Sequence, residues 1–263
     1  MPRRLPVDKL PVTACMLVKN EADRLSRVLP SLALFDEILV FDSGSEDQSI
    51  QTCLDAGAKV DEVKWEGFGT TRKKLFSAAS SPWIFWIDAD EVVTPELADE
   101  LKALFAGTGP GDRGYEVNRI VRFEDRWIRH GEWFPDWNLR LFRADSWSME
   151  EVAVHERVDL KGGKPDRLDG LLEHHTYRSW DDLRARSERY ALLWAEEKMA
   201  SGRRPFLFEG CIRSAWKFFR AFLLRGGLRH GKLGLRIAWA NAKEVRMKYK
   251  YLAKLHEPSA LKD

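Results

Sequence analysis

The sequence predicts an α/β fold: a mostly parallel sheet with helices on both faces, followed by a C-terminal helical extension. Three observations predict it. Short runs that are apolar throughout alternate with amphipathic stretches in the first half of the chain, which is how strands buried on both faces read. Acidic clusters (Glu21, Asp42 with Asp47, and Asp88 with Asp90) each follow the end of such a run, and open parallel sheets hold ligands beyond the carboxyl ends of their strands. After His174 and His175 the strand signals stop and helical periodicity takes over.

Residues 12–18 form the first apolar run, followed by Lys19, Asn20 and a helical pattern through 34. A second strand over 37–41 ends in the turn Asp42-Ser-Gly-Ser-Glu-Asp47, and a helix then runs to about 56. A weaker strand over 58–63 leads to Gly67, Gly69 and a basic helix over 70–79. Residues 83–87 are the most apolar strand and run into Asp88, Asp90 and Glu91. Thr94 before Pro95 reads as an N-cap with proline in the first turn. Short strands follow over 115–121, 139–142, 152–158 and 167–171. Helices over 180–201, 206–224 and 233–255 complete the chain, with Gly226, Gly227 and Gly231 punctuating the last two. The expected division is a first domain over 1–175, with halves 1–110 and 111–175, and a helical extension over 176–263.

Composition narrows the class. At 44% hydrophobic and 32% charged, the chain can bury a core, and it is neither disordered, collagen-like nor a coiled coil. Three cysteines (Cys15, Cys53, Cys211) without a CxxC spacing suit a reduced, cytoplasmic compartment. The first residues lack an apolar core, and no uncharged run reaches the roughly 18 residues of a spanning helix, so neither a signal peptide nor a membrane anchor is expected. The net charge of +2 hides an asymmetry: from residue 200 onward there are 15 Lys and Arg against four Asp and Glu, and residues 1–199 are acidic. A basic end suits an anionic partner. No nucleic-acid-binding motif appears, so nucleic acid is not expected.

Two carboxylates one residue apart at the end of a buried strand, as in Asp88 and Asp90, suit a hard divalent cation (Mg or Mn) that bridges to substrate phosphates. The bland alternative is a loop of helix-capping acids, but Thr94 already caps the next helix. Four tryptophans (Trp127, Trp133, Trp137, Trp147) crowd into 21 residues; they either pack a core or line a pocket.

The segments 13–21, 41–47, 65–72 and 86–91, in that order and at that spacing, resemble family 2 glycosyltransferases. They are most similar to the lipopolysaccharide core glucosyltransferase branch, the WaaE/KdtX-like proteins. The resemblance continues through Trp133 to Trp137, Leu139 to Arg143 and Val154 to Glu156 to the segment 231–235, and so covers nearly the whole chain. It implies a GT-A fold, Rossmann-like, that binds a nucleotide diphosphate sugar such as a UDP-hexose, with UDP-glucose as its suggestion. It implies that Glu21 and Asp42 line the base and ribose pocket and that Arg72 faces the nucleotide. Asp88 would contact the ribose or metal, and Asp90 would be the principal metal ligand. The acceptor would be a lipid-linked saccharide such as the lipopolysaccharide core.

An inverting transfer needs a group that takes the acceptor hydroxyl's proton. Asp136, between Trp133 and Trp137 and ahead of Arg140, is one candidate, where partial desolvation would raise its pKa; Glu156 beside His155 is the rival. The bland reading of Asp136 is an ion pair with Arg140. His155 is also a possible completion of the metal site. In the segment 206–224, charges at 209, 213, 217 and 220 fall on one helical stripe, and Ile212, Trp216, Phe219, Phe222 and Leu223 form the rest. Arg213, Trp216, Lys217, Arg220, Arg225 and Arg229 are therefore expected at an anionic membrane surface, placing the protein peripherally on the inner face of the cytoplasmic membrane. The bland alternative is a helix packed on the domain. A nucleotidyltransferase acting on sugar phosphates and a non-catalytic nucleotide-sugar-binding module are the alternative functions; the first would normally carry glycines where this chain has Lys19, Asn20 and Glu21.

Overall fold

The computed structural model describes residues 9–106, 109–111, 113–149, 158–161 and 163–256. Its first strands are β1 (Leu10–Val18), β2 (Phe35–Asp42), β3 (Lys59–Glu62), β4 (Trp83–Trp86) and β5 (Glu91–Val93). Between them lie α1 (Ala22–Ser31), α2 (Ser49–Asp55) and α3 (Phe68–Ser77), and α4 (Pro95–Phe105) follows β5. Then come β6 (Tyr115–Phe123), β7 (Arg126–Ile128), β8 (Trp137–Arg143), β9 (Trp147–Met149), β10 (Val158–Leu160) and β11 (Asp166–His174). The helices α5 (Trp180–Ala200), α6 (Glu209–Phe219) and α7 (Lys232–His256) close the described chain.

The main sheet is mixed, in the order β3-β2-β1-β4-β8-β6-β11-β5, with β7 paired to β6. Its parallel part is β3, β2, β1 and β4; β8 adds antiparallel to β4, and β6 to β8. The continuous apolar run of β1 is explained by burial on both sides. Val12, Ala14 and Met16 pack with Leu25, Leu29 and Leu97 of α1 and α4. Cys15 packs on the other face with Leu75 and Phe76 of α3. Because β1 and β2 are parallel with Val18 opposite Asp42, the ends of β1 and β2 that carry the acids reach the same edge, as expected.

The Thr94 cap holds: its Oγ1 accepts from the Leu97 amide at 3.2 Å, with Pro95 in the first turn. The first turn of α1 is capped differently, from a neighbouring loop. Asp47 Oδ2 accepts from the Ala22 amide at 3.2 Å and Ser49 Oγ from the Glu21 amide at 2.8 Å, which satisfies donors that a helix start leaves open.

The chain divides into two compact units: residues up to Arg119 with Asp136–His174, and Ile120–Pro135 with residues from His175 onward. In the second, Val121, Phe123 and Ile128 pack with Leu183, Leu233 and Ile237, and α7 packs on both α5 and α6. The helix expected over 206–224 begins at Glu209 and ends in a π-helical turn over Arg220–Leu224. The expected strand over 152–158 lies, except for Val158, outside the described residues. The three-residue strands β5, β7 and β9 were not foreseen; none is long enough to show a period of two.

Candidate functional site

At the end of β2, Asp42 is 1% exposed. Its Oδ1 accepts from the Gly44 and Ser45 amides at 2.9 and 2.7 Å, and its Oδ2 accepts from the Ser45 hydroxyl. Gly44 has φ of 94°, a conformation that suits glycine. The carboxylate expected at the base pocket therefore shapes the loop beyond β2. Glu21 receives Arg24 Nη1 at 2.9 Å, and the same Nη1 lies 3.8 Å from Asp90 Oδ2. Two of the expected donor-side acids thus share one arginine.

Beyond β4 the charges interlock. Asp88 Oδ1 lies 3.4 Å from Arg72 Nη2, and its Oδ2 lies 3.3 Å from Arg140 Nη2. Burial would raise the Asp88 carboxyl, but Arg140 and Arg72 outweigh it and hold the group at about 2. The Trp86 ring packs against both arginines, 4.4 Å from the Arg72 guanidinium carbon and 5.1 Å from that of Arg140. Asp90 is set back from them. Its Oδ1 lies 3.6 Å from His174 Nε2, and the His174 Nδ1 is buried without a hydrogen-bond partner. Burial works to raise the Asp90 carboxyl too, and the nearby His174 brings it below its ordinary value.

Glu91, quoted in the sequence only as the residue after the acidic pair, is fully buried. Its Oε1 accepts from Arg119 Nη1 at 3.1 Å and from Arg140 Nη2. Its Oε2 accepts from the Asp88 amide at 3.1 Å. Burial pushes the Glu91 carboxyl above its usual range, against the pull of Arg140.

Asp136 is not paired with Arg140, contrary to the bland reading. Its partner is Arg119, whose Nε and Nη2 reach Asp136 Oδ2 at 2.9 and 2.7 Å. Asn138 Nδ2 donates to Asp136 Oδ1 at 3.1 Å, and the Asp136 amide donates to Asn118 Oδ1 at 2.8 Å. The two flanking tryptophans have other ring partners. Trp137 carries Arg167 over its ring at 4.5 Å. Trp133 belongs to the other unit, where its ring packs on Phe123 and Tyr177 and its Nε1 donates to Asn241 at 3.2 Å. Trp147 packs on Phe76 and Phe142.

A cleft of about 620 Å³ in the first unit is lined by Arg72, Trp86, Asp88, Arg119, Trp137, Asn138 and Arg140, and on its far wall by Asp159 and Lys164. Arg72, Asp88, Trp137 and Arg140, singled out in the sequence, meet there with Arg119 and Asn138, which bond to Asp136. Asp90, Asp136 itself, Glu21 and Asp42 are not in its lining. Arg119, Asn118, Asn138, His174 and Arg24 were missed in the sequence; Arg119, Asn118 and His174 meet partners far away in the chain, whereas Arg24 and Asn138 bond to Glu21 and Asp136 close by. His155 and Glu156 lie outside the described residues.

The basic residues of α6 and of the turn after it have acidic partners. Arg213 pairs with the buried Glu209 at 2.7 Å. Lys217, Arg220 and Arg225 all face Glu132. The apolar stripe, in contrast, stands in the open: Trp216 is 56% exposed.

Glycosyl transferase family 2 matches residues 13–158. The lipopolysaccharide core biosynthesis glycosyltransferase LpsC of Rhizobium meliloti is 28% identical over 270 residues, 97% of this chain and 96% of that protein. An uncharacterized glycosyltransferase of Rickettsia felis is 27% identical over 81% of this chain and 79% of its own length. Glucosyl-3-phosphoglycerate synthase from Mycobacterium tuberculosis, solved with Mn2+, UDP and glucosyl-3-phosphoglycerate, shares 25% identity over 42% of this chain and 44% of that one, with a TM-score of 0.35. That last likeness is too partial to bear on the site. The family match takes in β1 to β8 and Asp42, Asp88, Asp90 and Asp136 alike, and the chain belongs to glycosyl transferase family 2.

Proposed function

We propose that this protein transfers a sugar, with inversion, from a nucleotide diphosphate sugar to a lipid-linked saccharide at the inner face of the cytoplasmic membrane. A UDP-hexose is the donor to try first. One observation carries the reading. The Asp88 and Asp136 carboxylates are tied into one charge network through Arg140, Glu91 and Arg119, beside a cleft of about 620 Å³. A donor-side acid and an acceptor-side acid are thereby fixed relative to each other.

Arg72 and Arg140 offer guanidinium donors to a diphosphate and to the negative charge it gains as it leaves. Asp136 is the proposed base: its Oδ1 receives only Asn138 among the hydrogen bonds above, and that oxygen would take the proton of the attacking hydroxyl. Arg119 orients the other oxygen. The acceptor oxygen then bonds to the anomeric carbon as the bond to the diphosphate breaks.

Asp90 and Asp88 fit a divalent cation. They are oxygen donors one residue apart, and Asp90 meets Arg24 and His174 only at 3.8 and 3.6 Å. Among the described residues no three His, Cys, Asp or Glu side chains are gathered to hold a metal, so diphosphate oxygens would have to complete the shell. When bound, such a cation supplies positive charge to the leaving diphosphate.

The saccharide acceptor is supported by the similarity to LpsC over nearly the full chain. No helix among the described residues is long and apolar enough to cross a membrane, so contact with lipid would be made from the surface. Family membership favours glycosyl over nucleotidyl transfer. The test is incubation with UDP- and GDP-sugars and Mn2+, following slow donor hydrolysis and then transfer to a core oligosaccharide. Release of nucleoside diphosphate is expected. In a parallel incubation with UTP and a sugar 1-phosphate, release of pyrophosphate would support the nucleotidyltransferase, and no turnover with any donor would support a binding module.

A further inference from the structure

The face of α6 carries two features that sugar transfer leaves unexplained. The first is an open apolar stripe. Ile212, Trp216, Phe219 and Leu223 follow one another by four, three and four residues along one helical face, and they are 60, 56, 43 and 46% exposed. The Trp216 and Phe219 rings stack with centroids 5.8 Å apart. On the neighbouring α7, Trp239 is 57% exposed, and its ring lies 6.1 Å from that of Phe218. Soluble surfaces seldom leave so many large apolar side chains side by side without a partner for them.

The second feature is a surplus of positive charge beside the stripe. Lys217 Nζ lies 2.9 Å from Glu132 Oε1, Arg225 Nη1 lies 3.8 Å away, and Arg220 pairs with the same oxygen. Three cations share one carboxylate, whose other oxygen is buried and accepts no hydrogen bond. Lys217 and Arg220 follow Trp216 and Phe219 directly in sequence, so the cations and the stripe occupy adjacent strips of one helix.

We propose that this face docks on an anionic bilayer. Lys217, Arg220 and Arg225 take the phosphate of a lipid headgroup, and Ile212, Trp216, Phe219, Leu223 and Trp239 enter the boundary with the acyl chains. The inference rests on the lipid-linked acceptor in the functional reading and says which surface meets the lipid. Glu132 holds the three cations together yet leaves two positive charges uncompensated, so a phosphate completes the cluster without having to break it. The combination of aromatic stripe and clustered cations favours a lipid surface over a protein groove. It also changes the expected balance of forces. With three of the cations shared with Glu132, apolar insertion carries more of the binding than a free basic stripe would give, so salt should weaken docking without abolishing it.

The test is flotation of the full chain with vesicles of phosphatidylcholine alone and with added phosphatidylglycerol. Wild-type protein should float with the anionic vesicles, about tenfold more weakly with the neutral ones. The double variant Trp216→Ser with Phe219→Ser should lose flotation on both. Both sites are open to solvent, so the fold should persist, which circular dichroism checks. Lys217→Gln with Arg220→Gln should lose the preference for anionic lipid and keep residual binding. Two results would overturn the proposal: wild-type protein that ignores anionic vesicles, or aromatic variants that float like wild type. So would a wild-type dimer that Trp216→Ser dissociates, since a second copy would then own the stripe. Flotation is read without donor or acceptor, so failure of donor hydrolysis by the wild-type chain would count against the catalytic reading alone.

Discussion

Arg119 reaches Asp136 Oδ2 with its Nε at 2.9 Å and its Nη2 at 2.7 Å. Its Nη1 lies 3.1 Å from Glu91, which also accepts from Arg140, and Arg140 in turn donates to Asp88 at 3.3 Å. Asp88, Arg140, Glu91, Arg119 and Asp136 thus form a chain of alternating charge from the end of β4 to the start of β8. Each arginine is shared by two carboxylates, so neither proposed reacting acid can shift without disturbing the other's partner.

Glu91→Gln should therefore weaken both the fold and the reaction. It leaves Arg140 and Arg119 around a neutral group in a fully buried place, and breaking a buried ion pair from one side costs about 3 kcal/mol or more. Urea unfolding measures the loss, and initial rates should fall alongside it. An unfolding midpoint equal to that of wild type would mean that Glu91 does not anchor the network.

Acid should remove part of the stability through Asp88. Its folded pKa is about 2, below the ordinary 3.8. A depressed carboxyl contributes stability that is present above the unfolded value and is lost as pH falls through the folded one. The loss should fall between about pH 4 and pH 2 and be smaller in Asp88→Asn. Unfolding midpoints across that window, taken for both proteins, make the comparison; parallel curves would contradict the pairing with Arg140 and Arg72.

Asp90→Asn should abolish turnover at saturating Mn2+ and weaken the metal-dependent part of UDP binding, because a diphosphate among carboxylates needs a countercharge. Calorimetric titration of UDP with and without Mn2+ reads this directly. Near wild-type activity of Asp90→Asn in EDTA would rule out a metal held there.

Gly170→Ala should destabilise the first unit by about 1–3 kcal/mol. A Cβ at Gly170 on β11 would lie 2.5 Å from Leu97 Cα and 2.8 Å from Leu97 N on α4, so backbone would have to move. Thermal unfolding that matches wild type would show that the strand and helix are less closely packed than this.

The sequence made the parallel half legible because each of its strands is short, apolar and followed at once by an acid or a cap; residues 83–87 and Thr94 are the clearest cases. The GT-A fold and the family follow from those same segments. The site was legible only in its acids. Nothing near Arg119 in sequence says that it reaches Asp136 and Glu91 across 17 and 28 residues. Glu132, which gathers three cations from 85 or more residues away, was equally silent. Trp133 and Trp137 look like one cluster in sequence but fall in different units. Pairing between distant residues is set by sheet order, which local patterns do not carry.

The measurement that tests the central claim most directly is the kinetics of Asp136→Asn, with the UDP-sugar affinity determined separately. A base acts in the transition state and adds little to donor binding. The account predicts a fall in kcat on the order of 10²-fold or more, with donor affinity close to that of wild type. Asp136→Asn that transfers sugar at the wild-type rate, while Glu156→Gln is inactive, would contradict it and assign the proton to the other carboxylate.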